Sequence, residues 1–182
     1  MLRGSLLYLE RHMIRTAARE IAIQLGFAAT LTGQDPRSVV DMFFEPEHYA
    51  SMAAEGELYA DKPSKKDLKF ITDSVCGVME HREELDRYIS RYARGWRVER
   101  ISRSAVAVLR QALFEILYMD DVPDAASMNE AVELAKGYDD GEVVSFINGI
   151  LGGFYRAELL HEEPIPADEP TAEGEPEVPD VG

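Results

Sequence analysis

The arginines of this chain recur at helical spacing, and the chemistry such a pattern suits is the binding of phosphate. Arg11, Arg15 and Arg19 return every fourth residue, which on a helix makes one stripe beside the apolar face. Arg3 stands near the start of the chain, from where it can reach phosphate beside that stripe. Arg87, Arg91 and Arg94 have the i, i+4, i+7 spacing of a second stripe. Guanidinium groups are permanently charged and present a planar fork of donors to phosphate oxygens. Stripes of this kind usually belong to ordinary solvated faces, and for the second one Glu83, Glu84 and Asp86 are near enough to favour that reading.

Catalytic chemistry has no comparable set of residues. Cys76 lies in an apolar, helix-like stretch and reads as a packed thiol rather than a nucleophile. His12, His48, His81 and His161 are scattered without ligand spacing, so no metal is expected. Gly149, Gly152 and Gly153 lack the preceding strand and following Lys-Ser/Thr of a phosphate loop; they read as small residues that let helices approach. No carboxylate pair stands out as an acid/base couple. The expectation is a binding protein, not an enzyme, with no cofactor.

The elements that must position the arginines are helices. A broad apolar stripe through Ile14, Ala17, Ala18, Ile21, Leu25 and Ala28 predicts a long first helix over about 5–31, stopped by Gly33. Asp35-Pro36 starts a second helix, which ends near Phe44 before Glu45-Pro46. Residues 47–62 read as a short helix and a loop. Pro63-Ser64, with Asp67 three residues after the serine, opens a helix to about Glu80, and residues 83–94 continue helically. A strongly apolar helix spans 99–119 and ends at Asp120-Asp121-Val122-Pro123. Ser127-Met128-Asn129-Glu130 has the S-x-x-E form of a capping box and opens the next helix. Asp139-Asp140-Gly141 breaks it, and a last helix carries Phe146 to Leu151. The fold class is all-α, with about seven helices.

Charge divides the chain unevenly. The net charge is −15, but eight of the 34 acids and five prolines lie from Glu162 onward. Residues 1–161 therefore carry 26 acids against 19 bases, a balance that a local basic patch can overcome, because counterion release depends on nearby cations. The expected division is a helical domain over 1–161 and a disordered acidic tail over 162–182. No apolar run approaches the roughly 20 residues a bilayer requires, and the opening LRGSLLYLE is too soon interrupted by charge for a signal peptide. A cytoplasmic protein is expected.

One segment, AASMNEAVELAKGYDDGEVVSFINGILGGFYR over 125–156, resembles the C-terminal signature of the NusB family of bacterial transcription antitermination factors. Ala18-Arg19-Glu20 with Ala22 and Gln24 resembles that family's first-helix pattern. Trp96 to Ile101, Val108-Leu109-Arg110, Glu115 and Asp121-Val122-Pro123 continue in register. The resemblance implies two small helical bundles packed together. It also implies binding of boxA-like ribosomal RNA leader sequences together with NusE, a small-subunit ribosomal protein, on RNA polymerase. Under it the RNA-binding set becomes Arg3, Arg11, Arg15, Arg19, Ser145 and Phe146, with Phe146 either a base-stacking ring or core. Asn148-Gly149 reads as a packing feature. Family members include monomers and dimers, so a homodimer stays open.

Two departures accompany the likeness. Thr16 and Ala17 stand where the family usually has Arg or Lys, and Ala105-Val106 replaces an acidic–basic pair at the NusE-facing helix. Two alternatives follow: a protein-interaction module without RNA binding, or a stand-alone relative of the N-terminal domain of a ribosomal-RNA cytosine methyltransferase.

Overall fold

Local sequence signals account for most helix ends. The computed structural model describes residues 13–93 and 101–162. Helix α1, Arg15–Thr32, buries Ala18, Ile21, Ala22, Leu25 and Ala29 along one face. Gly33 stops it with φ of 69° and returns its N–H to the Ala29 carbonyl, the left-handed turn glycine adopts without steric cost. Helix α2, Pro36–Phe43, is capped by the Asp35 carboxylate, which accepts from the Ser38 N–H. Helix α3, Pro46–Glu55, and a single 3-10 turn, Glu57–Tyr59, occupy the segment expected to hold a short helix and a loop. Ser64 and Asp67 form a reciprocal capping box at the start of helix α4, Lys65–Glu80.

Helix α5 spans Arg82–Tyr92 and α6 spans Arg103–Tyr118. The Ser102 hydroxyl accepts from the Ala105 N–H, so α6 begins later than its apolar content suggested. Helix α7 is Asp124–Tyr138 and α8 is Gly141–Phe154, which runs into one π-helical turn, Tyr155–Leu159. Asp140 caps α8 by accepting from the Glu142 and Val143 N–H groups.

Two expectations about helix starts are corrected. The first helix does not run unbroken from residue 5, because Ile14 is extended (φ −82°, ψ 155°) and marks the start of α1. The capping box at Ser127 does not form either. Pro123 precedes the first turn of α7 and its carbonyl accepts from the Ala126 and Ser127 N–H groups. The helix thus starts three residues before Ser127, whose hydroxyl turns inward instead.

The helices build two cores. One gathers α1, α2 and α4 around Ile21, Leu25, Val40, Ile71 and Val75. The other gathers α5, α6, α7 and α8 around Leu85, Leu109, Leu113, Ile147, Leu151 and Phe154. Ile23 of α1 and Val78 of α4 also pack into the second core, which joins the two bundles. Gly77 makes the α4–α6 contact close: a Cβ there would lie 2.0 Å from Phe114 Cζ. Among the described residues no helix is long and apolar enough to cross a membrane.

Candidate nucleic-acid interface

The site is built at the first turn of α1, where the two bundles meet. Arg15 is the first residue of that helix and Thr16 the second. The Arg15 guanidinium lies over the ring of Phe70, with Cζ 4.1 Å from its centroid. Its Nη1 is shielded from solvent yet has no hydrogen-bond partner. The guanidinium is held over an aromatic face while the residue is only half-buried, so its accessible edge can meet an anion. Thr16 is not free in this way, because its hydroxyl donates to Glu130 at 2.7 Å.

A cleft of about 300 Å³ opens beside Arg15, Thr16 and Lys66, with Asp121, Val122 and Glu130 on its far side. Lys66, at the second position of α4, is exposed and makes no ion pair among the described residues. Lys65, Lys66 and Arg15 all stand at helix starts that carry partial positive charge. Cations there are locally unfavourable, and their fields add to those of the helix ends. The result favours an anion.

Arg19 departs from expectation. It is 3% exposed, and its Nε and Nη2 donate to the two oxygens of Glu115, each at 2.8 Å. Nη1 donates to Glu130 at 3.2 Å. All three guanidinium nitrogens donate inside the protein, so Arg19 is enclosed behind the cleft rather than set on an open stripe with Arg15. The position four residues after Arg15 points inward because α1 is sandwiched between α4 and α6. Sequence spacing alone does not reveal which of two flanks a neighbouring helix covers.

Phe146 is 2% exposed within the second core. Of its two readings, the structure supports core. Ser145, one residue earlier, faces out and donates back to the Gly141 carbonyl at 2.9 Å. Asn148 and Gly149 are exposed, with nothing within 4 Å of a Cβ at Gly149, so they are not a packing feature. Arg3, Arg11 and Arg94 lie outside the described residues.

Of the second stripe, Arg87 and Arg91 are both exposed on α5. Arg91 donates to Glu158 at 2.9 Å, beyond the end of α8. Two of the three acids expected to neutralise the stripe, Asp86 and Glu84, hydrogen-bond other residues, although Glu84 still feels the charge of Arg87. Asp86 holds Arg110 through two bonds of 2.7 and 2.9 Å. Glu84 accepts from the Tyr118 hydroxyl at 2.5 Å and sits 3.3 Å from His81 Nδ1. Cys76 is half-buried, and burial pushes its thiol up from the ordinary value, which argues against a nucleophilic thiolate.

Lys66, Phe70 and Glu115 were not legible as site or network residues. The Lys65-Lys66 pair directly after a capping serine was the available signal.

The model of the NusB family matches residues 16–156. The chain belongs to the NusB family. A Symbiobacterium thermophilum protein named transcription antitermination protein NusB is 40% identical over 144 residues, covering 79% of this chain and 90% of the relative. The protein of that name from Acetivibrio thermocellus is 43% identical over 148 residues, covering 81% and 92%. Among solved structures, T. maritima NusB superimposes with a TM-score of 0.62 at 25% identity, over 78% of this chain and 89% of its own. A crystal structure of antitermination factors NusB and NusE in complex with dsRNA gives a TM-score of 0.60 at 22% identity, over 79% and 96%. That second likeness speaks for the fold alone. The NusB fold assigns the two bundles, and Arg19 and Glu115, both part of the family-like pattern, prove to be joined across them.

Proposed function

We propose that this chain is an RNA-binding transcription antitermination factor that acts with NusE on boxA-like leader RNA at RNA polymerase, in the cytoplasm. The observation that carries the reading is identity of 40% and 43%, over about four fifths of the chain, to two proteins named for that function. The geometry that fits it is Arg15, a cation over an aromatic ring with a shielded donor unused. No reaction is catalysed; the protein contributes positioned charge and surface.

The count of charges fits a role for a partner. Thr16 and Ala17 bring no cation to the first turn of α1, and Arg19 is engaged with Glu115. The described part of this turn offers one guanidinium for phosphate. Affinity for RNA alone is therefore weak, and NusE supplies the further contacts and neutralisation. The test is a filter-binding titration of a boxA-like RNA with and without NusE. The expected result is weak binding alone and binding at least tenfold tighter with NusE. Equal affinity in both arms contradicts the reading.

A further inference from the structure

Arg15 and Lys66 also border a second and larger groove, of about 570 Å³, which Glu130 does not line. It runs along the first two turns of α4, past Lys69, to Tyr118 at the end of α6. Tyr118 is 42% exposed despite its size. Its ring is held rigid from behind: His81 stacks on it with centroids 4.0 Å apart, Phe114 lies at 5.3 Å, and its hydroxyl donates to Glu84. An exposed aromatic ring immobilised by its neighbours loses little entropy when a flat ligand stacks on it.

The two ends of the groove differ in chemistry. At one end stand Arg15, with its unused donor, and Lys66. Lys69 lies between, partly neutralised by its hydrogen bond to Asp73. At the other end Tyr118 is accompanied by Asp120, while Asp121 borders both this groove and the cleft beside Arg15 and Lys66. Asp120 beside Tyr118 disfavours phosphate there, so the backbone of a polyanion is better placed against Arg15 and Lys66. The Asp120 oxygens can accept hydrogen bonds from base amino groups. Cations for the backbone with an aromatic platform for a base is the pattern that binds single strands.

We propose that this groove is a binding channel for single-stranded RNA, with phosphate held between Arg15 and Lys66 and a base stacked on Tyr118. Lys66 supplies in space, from α4, a charge that Thr16 and Ala17 do not supply in α1. The inference rests on the RNA-binding reading above and extends the RNA path beyond the cleft beside Thr16.

The test is fluorescence anisotropy with an end-labelled boxA-like oligoribonucleotide at two salt concentrations, with NusE present, on the parent, R15A, K66A, Y118L and Y118F. Circular dichroism and thermal midpoints verify that each variant is folded. K66A is expected to weaken binding several-fold and to reduce the salt slope of log K by about 0.7. Y118L is expected to weaken it about 5- to 160-fold with an unchanged slope, the range for loss of one stacked base. Y118F, which keeps the ring, should bind like the parent. If K66A and Y118L bind normally while R15A is weakened, the groove is unused and the RNA-binding reading survives. If R15A also binds normally, that reading of the surface fails and this one with it. A Y118F defect equal to that of Y118L rules out stacking. Loss of NusE binding in these variants without RNA makes the groove a protein surface and overturns the proposal.

Discussion

Arg19 and Glu115 face each other across the junction of the two bundles, joined by two parallel bonds of 2.8 Å and both almost fully buried. The Glu115 carboxylate also accepts from Gln111 and Ser127, each at 2.9 Å. Gln111 extends the network to Ser74 at 3.0 Å. Four helices, α1, α4, α6 and α7, are thus pinned to one carboxylate. Burying a charged pair is costly unless its hydrogen bonds are met, and here both oxygens have two donors.

Removing one partner strands the other charge in the core. R19M is expected to destabilise the fold by about 3–5 kcal/mol. The double variant R19M/E115L, which leaves no charge uncompensated, should recover part of that loss, because the two residues are coupled. Urea unfolding of the single and double variants measures both. An R19M protein as stable as the parent would mean that the pair is not integral to the junction.

This network explains how far the sequence could be read. Helix identities followed from apolar spacing, and Gly33, Asp35, Ser64 and Asp140 act as the helix-end residues their types suggest. What spacing could not supply was direction. Arg15 and Arg19 look equivalent along the chain, yet one borders solvent and the other is enclosed, because α4 and α6 close over different flanks of α1. Ser127 and Glu130 form a valid local capping pattern, but Glu115 takes the serine, and Thr16 with Arg19 takes the glutamate. Long-range partners outcompeted the local ones, and those partners lie about a hundred residues away in several cases.

Gly77 is required by contact rather than by backbone conformation. A Cβ at this position would meet three atoms of the Phe114 ring between 2.0 and 2.9 Å. G77A is expected to cost about 1–3 kcal/mol through overpacking. Adding F114L to the same chain should relieve part of the clash. Thermal unfolding of the single and double variants reports this, and a G77A midpoint equal to the parent's would show that α4 and α6 separate freely.

Tyrosine ionisation gives a prediction for alkaline pH. Tyr49, Tyr92 and Tyr138 are pushed up to about 12 mainly by burial, and Tyr118 to about 12 mainly by its hydrogen bond to Glu84. The fold therefore favours the neutral phenol. That stabilisation is fully present below the ordinary value of 10.0 and is lost as pH rises toward about 12. Phenolate absorbance should show these residues titrating late, with cooperative unfolding in the same window. E84Q should bring Tyr118 back toward its ordinary value. A single titration near pH 10 for all the tyrosines would contradict these contacts.

On the proposed function, RNA lies against the α1–α4 end of the molecule. Photocrosslinking tests it most directly, using a 4-thiouridine-substituted boxA-like RNA with NusE present and mass spectrometry to map the attached peptides. Crosslinks are expected on the peptides around Arg15, Lys66 and Tyr118. Crosslinks confined to α5 around Arg87 and Arg91, or to the exposed face of α8 around Ser145, would contradict it.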